Sequence, residues 1–227
     1  MSFDSDLFLS ALFGWPLLKG AIVMLLLTAA VQVTSLTISL GTAALATSRN
    51  RLIRSAIAGY VWLFRGAPAL LIILMIWNGL PQLFPAFRAS WFSPFLAAFI
   101  ALTLIQIAYT TEILRSAYAA VNHGQTEGAQ ALGLHRWHVF FYIVLPQALR
   151  IATPALMNEL ISLVKTTSLA SVISLKELMT VTNLAIAASF RFLEWYGAVL
   201  IWYLGIVAIL TVLQARIERA LSKGYSR

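Results

Sequence analysis

An all-α integral membrane protein with five transmembrane helices and a cytoplasmic helix between two of them is the fold class this sequence predicts. Three observations lead there. Of the residues, 60% are hydrophobic and 11% charged, with a mean hydropathy of +0.85. Uncharged stretches recur at membrane-spanning length. One polar, Gly-punctuated segment, Gln125 to Arg150, interrupts them. A 227-residue chain this poor in charge has too few polar side chains to cover a water-soluble globule.

The spans follow from the charges that bracket them. Lys19 and Arg49 enclose 29 uncharged residues, Arg65 and Arg88 enclose 22, Arg88 and Glu112 enclose 23, and Glu194 and Arg216 enclose 21. Crossing the hydrocarbon core takes roughly 20. Approximate spans are therefore 21–45, 68–84, 94–118 and 195–215. A fifth, 153–175, carries Glu159 and Lys165 inside an apolar helical pattern. It is counted because without it the polar segment and the chain end would lie on opposite faces, against the charge bias below. The first run is too long for a removable signal peptide and lacks its small-residue cleavage site, so it is expected to stay as the first span. No polar segment is long enough to bury a core of its own, and a single membrane domain is expected over residues 1–227.

Between the first two spans, Arg49, Arg51, Arg54 and Arg65 mix with Leu52, Ile53, Ile57, Val61 and Phe64. Such a segment suits the membrane interface. Pro68 fits the first turn of the helix that follows, where its missing N–H costs little. Basic residues then set the orientation, because short loops rich in Lys and Arg stay cytoplasmic. Arg49, Arg51, Arg54, Arg65, Arg115, Arg136, Arg150, Arg216, Arg219, Lys223 and Arg227 fall on one face, against Lys19, Arg88, Lys176 and Arg191 on the other. The N-terminus, with Asp4 and Asp6, is expected outside and the C-terminus in the cytoplasm. The net charge of +8 sits at span ends, where it meets anionic lipid headgroups, and this argues against nucleic acid as a partner. With no cysteine, disulfides and thiol-ligated metals are excluded.

The cytoplasmic loop, 120–150, is more than a connector. Glu127 to Leu132 are good helix formers with an acid in the first turn, Gly133 is placed to stop the helix, and Trp137 to Leu145 is apolar again. A short helix presenting Ala129 and Ala131 outward would suit a groove on another protein as a rigid lever. A solvated connector accounts equally well for His123, His135, Arg136 and His138.

The order Glu127, Gly128, Ala129, then Gly133, then Leu145-Pro146 resembles the EAA loop of permease subunits in bacterial ABC importers. The neighbouring residues narrow the resemblance to the polar amino acid uptake family, the permeases for histidine, glutamine, arginine and opines. Tyr109-Thr110-Thr111-Glu112-Ile113-Leu114-Arg115 and Gly124-Gln125 look like the family's lead-in to the loop. Tyr60 to Pro68 resembles its phenylalanine-arginine-glycine-threonine-proline element, and Asn158-Glu159-Leu160-Ile161 with Lys165-Thr166-Thr167-Ser168-Leu169 its fourth-span signature. The resemblance covers about residues 60 to 180. Four positions depart from the family pattern: Gly128 for the first alanine of the triplet, Asn122 for proline, Ala67 for threonine and Thr166 for aspartate.

The resemblance implies an importer half in a bacterial cytoplasmic (inner) membrane. Its partners would be a second permease, identical or different, two cytoplasmic ABC ATPase subunits that bind ATP and Mg, and an extracytoplasmic amino acid binding protein. No cofactor is expected in this chain, which lacks the G-x-x-x-x-G-K-[ST] phosphate loop. Coupling to the ATPase is assigned to Gln125, Glu127, Gly128, Ala129, Ala131, Leu132 and Gly133. For the substrate path the candidates are Arg65, Gly66, Gln106, Tyr109, Asn158, Glu159, Lys165 and Ser168, since intramembrane polar and charged groups are costly unless used. Glu159 and Lys165 stand about 240° apart around a helix and form no simple pair, but a shared cavity would let them hold an ammonium and a carboxylate. Each of these charges has a plainer use, on a neighbouring helix or the partner permease. Glu112 and Arg115, at helical spacing, are expected to pair structurally. An ion-coupled secondary transporter is the rival function, although the chain lacks the repeated broken helices that fold would need. Catalysis and metal binding are not expected, since His135 and His138 have no third ligand nearby.

Overall fold

The computed structural model describes residues 3–222, apart from the side chains of His123 and Ser222. Lys223 and Arg227, counted above with one face, lie outside the described residues. Every regular element among the described residues is helical. In order these are α1 (Ser5–Leu12), α2 (Trp15–Ala46), α3 (Arg51–Gly66), α4 (Ala69–Leu74), α5 (Leu80–Leu83), α6 (Pro94–Ala120), α7 (His123–Ala131), α8 (Arg136–Val139), α9 (Leu145–Thr166), α10 (Leu178–Ser189) and α11 (Phe192–Ser222). π-helical turns at Met75–Gly79 and Phe140–Val144 join α4 to α5 and α8 to α9.

Local chemistry sets most helix starts. Asp4 Oδ1 accepts from the Leu7 N–H at 3.0 Å, Asn50 Oδ1 from Leu52 N–H at 2.9 Å, and Ser93 Oγ from Leu96 N–H at 3.3 Å, with Pro94 opening α6. Each satisfies a backbone donor that the first helical turn leaves without an intrahelical partner. Pro68 stands one residue earlier than expected, as the N-cap of α4, and forces Ala67 into an extended conformation that ends α3.

Among the described residues, four helical runs are long and apolar enough to cross a membrane: Ser5–Ala46, Pro94–Ala120, Arg136–Ile173 and Phe192–Leu221. A fifth span exists if α3 and the Ala69–Leu83 run count as one, but these bend by 101° at Pro68. The Arg136–Ile173 run begins well before the expected Thr153, because the π-turn at Phe140–Val144 passes the helix on without a break. Its far end tightens into a 3-10 turn, Thr167–Ile173, stopped by Ser174 at φ 61°.

In lipid no hydrophobic force separates helix from solvent, so close packing and interhelical hydrogen bonds must hold the bundle. α2 and α6 form the central pair, with α9 against α6. Their seams are lined with buried small residues, including Ala43, Ala97, Ala101, Ala108, Ala117, Ala148 and Ala152. Polar contacts cross the same seam: Ser39 Oγ donates to the Ile107 carbonyl at 3.2 Å, and the Thr42 and Thr111 hydroxyls meet at 2.6 Å. On the opposite flank α1 packs on α11, where Trp202 Nε1 donates to the Leu12 carbonyl at 2.8 Å.

Helix α10 was not foreseen. It packs on α2 so closely that a Cβ on Gly20 would meet the Leu178 backbone nitrogen at 2.9 Å. Glu177, fully buried, caps it: the carboxylate accepts from the N–H groups of Met179 (2.9 Å) and Thr180 (2.8 Å), the Thr180 hydroxyl (3.2 Å) and the Tyr203 hydroxyl (3.3 Å). Burial pushes the Glu177 carboxyl above its ordinary range, outweighing these four donors, which favour the ionised form.

Candidate functional site

Two features stand out, a projecting helix on the polar loop and a small polar cavity inside the bundle. The helix is α7. Asn122 Oδ1 caps it by accepting from the Gly124 N–H at 2.8 Å, so it begins four residues before the expected Glu127. Its end is a paired reverse turn: Gly133 N–H donates to the Gln130 carbonyl at 2.9 Å and Leu134 N–H to the Ala129 carbonyl at 3.2 Å, with Gly133 at φ +80°. That conformation favours glycine and fixes where the chain turns.

Gln125, Glu127, Gly128, Ala131 and Leu132 face solvent, Leu132 being 84% exposed. Ala129 corrects an expectation. It is 5% exposed and belongs to the packed side of a helix that rests on α8 and the π-turn after it. Ala129 and Ala131 are two residues apart, which on a helix points them in widely separated directions. Beyond Gly133 the exposed side continues with Trp137 stacked on Phe141 and Tyr142 stacked on His138, giving the loop an apolar, aromatic shoulder.

The cavity, about 150 Å³, lies between α4, α6 and α9. Gln106, Tyr109 and Glu159 from the expected set line it, joined by Ser162 and Thr166. Gln106 is 2% exposed, and its Nε2 donates to Gln32 Oε1 on α2 at 3.4 Å. Arg65 adjoins the cavity without lining it. Its guanidinium sits 5.4 Å from the centre of the Tyr109 ring, and its charge reaches Glu159 electrostatically.

The other expected residues lie elsewhere. Asn158 Oδ1 accepts from Gln214 Nε2 on α11 at 3.2 Å, an interhelical bond. Ser168 Oγ donates to the Lys165 carbonyl at 2.7 Å in the tightened end of the helix, and Gly66 ends α3. Lys165 is exposed and outside the cavity lining, which corrects the shared cavity expected for it and Glu159. The six-residue separation explains this, because positions 159, 162, 163 and 166 share one face and 165 does not. Ser162 and Thr166 were thus readable from spacing once Glu159 was taken as the anchor. The Glu112–Arg115 pair is bidentate, at 2.6 and 2.9 Å.

The family described as binding-protein-dependent transport system inner membrane component matches residues 35–223. A probable amino-acid ABC transporter permease protein, PatM of Vibrio harveyi, is 38% identical over 74% of this chain and 74% of its own length. The octopine transport system permease protein OccM of Rhizobium radiobacter is 40% identical over 71% and 68%, and the glutamine transport system permease protein GlnP of Escherichia coli (strain K12) 37% over 70% and 72%. Among solved structures, that of an amino acid ABC transporter with histidines superimposes with a TM-score of 0.82 at 29% identity, covering 97% of this chain and 100% of that one. The MetNI methionine ABC transporter, inward facing, is similar in fold, with a TM-score of 0.78 at 19% identity over 91% and 96%.

Proposed function

The chain belongs to the family of binding-protein-dependent transport system inner membrane components, and from that premise we propose that it is the permease subunit of an ATP-driven importer of polar amino acids or related small zwitterions. The observation that carries the reading is α7, a capped and stopped helix offering Glu127, Ala131 and Leu132 beside an apolar shoulder. A rigid helix with that surface fits a groove and transmits its displacement. Two cytoplasmic ATPase subunits supply the grooves and bind ATP and Mg. A second permease, identical or different, completes the pathway, and an extracytoplasmic binding protein delivers the ligand. In this arrangement the N-terminus faces outward and α7 faces the cytoplasm of a bacterial inner membrane. Family membership disfavours the ion-coupled secondary transporter.

In the substrate path Glu159 is the fixed anion, positioned for an ammonium, while Gln106, Ser162 and Thr166 supply neutral hydrogen-bonding groups. Arg65, beside Tyr109, is the cation suited to the ligand carboxylate. Lys165, on another side of α9, is available to the second permease. The test is ATP hydrolysis by the purified assembly with its binding protein over a panel of amino acids. Hydrolysis stimulated by polar amino acids supports the reading. Uptake that continues without ATP in reconstituted vesicles under an imposed ion gradient overturns it.

A further inference from the structure

A second cavity, about 470 Å³, opens between α3 and the end of α6 nearest α7. Arg54, Arg65 and Arg115 line it with a single carboxylate, Glu112, together with Val61 and Trp62. Even with Glu159 counted beyond Arg65, this neighbourhood keeps an excess of positive charge. Glu112 is already held by Arg115 through two hydrogen bonds, and Arg54 gives one N–H to the Ser48 carbonyl at 3.2 Å. A guanidinium has five donors, so both arginines retain capacity for further acceptors.

The helix that forms one wall is unusual. No residue of α3 is buried, Trp62 is 78% exposed, and the bend of 101° lays α3 nearly along the membrane plane if the helix after Pro68 crosses it. Three guanidinium groups, from both ends of α3 and from α6, share a cavity with aliphatic and indole walls, and this combination matches an amphiphile whose head is a phosphate and whose tails are hydrocarbon. Arginine is suited to phosphate because its planar donors engage two oxygens at once.

We infer that this cavity binds the headgroup phosphate of an anionic phospholipid from the leaflet on the side of α7. The inference does not rest on which substrate is transported, although Arg65 is shared with the proposed substrate path. Bound there, the lipid ties α3 to α6 close to Arg65.

The test uses the chain purified in its native assembly and reconstituted into phosphatidylcholine nanodiscs containing a minor fraction of phosphatidylglycerol, with retained lipid counted by native mass spectrometry. Phosphatidylglycerol should be retained in preference to phosphatidylcholine, and Arg54→Gln should lower that retention about tenfold, with Arg54→Lys intermediate because it keeps the charge but loses the bidentate geometry. Equal retention by the parent and Arg54→Gln overturns the assignment. Displacement of the lipid by millimolar inorganic phosphate overturns it too, in favour of a soluble anion. For Trp62→Cys, modification by a bilayer-soluble maleimide supports a lipid-facing cavity, whereas cross-linking to another permease subunit shows a protein partner covering it.

Discussion

At the scale of single residues, Glu159 and Lys165 show how much a helical position decides. Both are charged and both belong to one apolar helix, yet only Glu159 reaches the cavity with Gln106 and Tyr109. An ionised group inside a bilayer stays only where it is paired or wetted, so the carboxylate within the cavity has the stronger claim on a ligand. Glu159→Gln is isosteric and should lower transport by about tenfold, roughly 1.4 kcal/mol of lost recognition, with basal ATP hydrolysis retained. Lys165→Met should change transport by less than about threefold, under 1 kcal/mol on the same scale. Uptake of a radiolabelled polar amino acid into vesicles measures both, and a larger loss for the lysine variant would move the recognition site to the subunit interface. Gly20 makes a different point. A Cβ there meets backbone, not a flexible side chain, so Gly20→Ala should push α10 off α2 and destabilise the assembly by about 1–3 kcal/mol. A thermal unfolding midpoint unchanged from the parent would contradict that close approach.

Among the helices, α7 was legible because its signals are local. Gly133, the expected stop, acts without tertiary contacts, whereas the Asn122 cap starts the helix four residues before the expected Glu127 and leaves Glu127 at its fifth position, beyond the first turn. The side that α7 shows to solvent was only partly legible, since burial of Ala129 depends on α8 and the following π-turn. Helix α10 was hidden for the same reason. Its 12 residues are too short to read as a span, and its cap is a glutamate whose partners include Tyr203, 26 residues away. The bend at Pro68 was half legible: proline marks a boundary, but its angle is set by packing of α3 on α6. Because α7 relies on Gly133 at φ +80°, Gly133→Val places a β-branched residue in the left-handed region, and Glu127→Lys reverses the charge on the exposed side of the helix. Both variants should insert normally while binding-protein-stimulated ATP hydrolysis falls at least about tenfold, a loss of roughly 1.4 kcal/mol or more in coupling. Normal stimulation in both would mean that α7 is not the element that couples.

For the whole molecule, the fold class was readable from charge spacing because a bilayer imposes one length scale on every span. That rule sees straight crossings best. The long runs containing α2, α6, α9 and α11 satisfy it, whereas α3 to α5 reach comparable length only as a bent pair. Orientation rests on the basic residues, and Ser5, Thr47, Ala89, Gln125 and Ala187 are all exposed and so open to a reagent. The chain has no cysteine, so single replacements can be read without background. With an impermeant thiol reagent on intact cells, Ser5→Cys, Ala89→Cys and Ala187→Cys should label, and Thr47→Cys and Gln125→Cys should label only after the membrane is opened. The set is self-checking. Ser5 and Gln125 are separated by three crossings when α3 to α5 make one span and by two when they do not, so both patterns cannot coexist with the same bent pair. Labelling of Ser5 and Gln125 from the same side would show that α3 to α5 return without crossing, and would leave α7 on the wrong face to meet an ATPase.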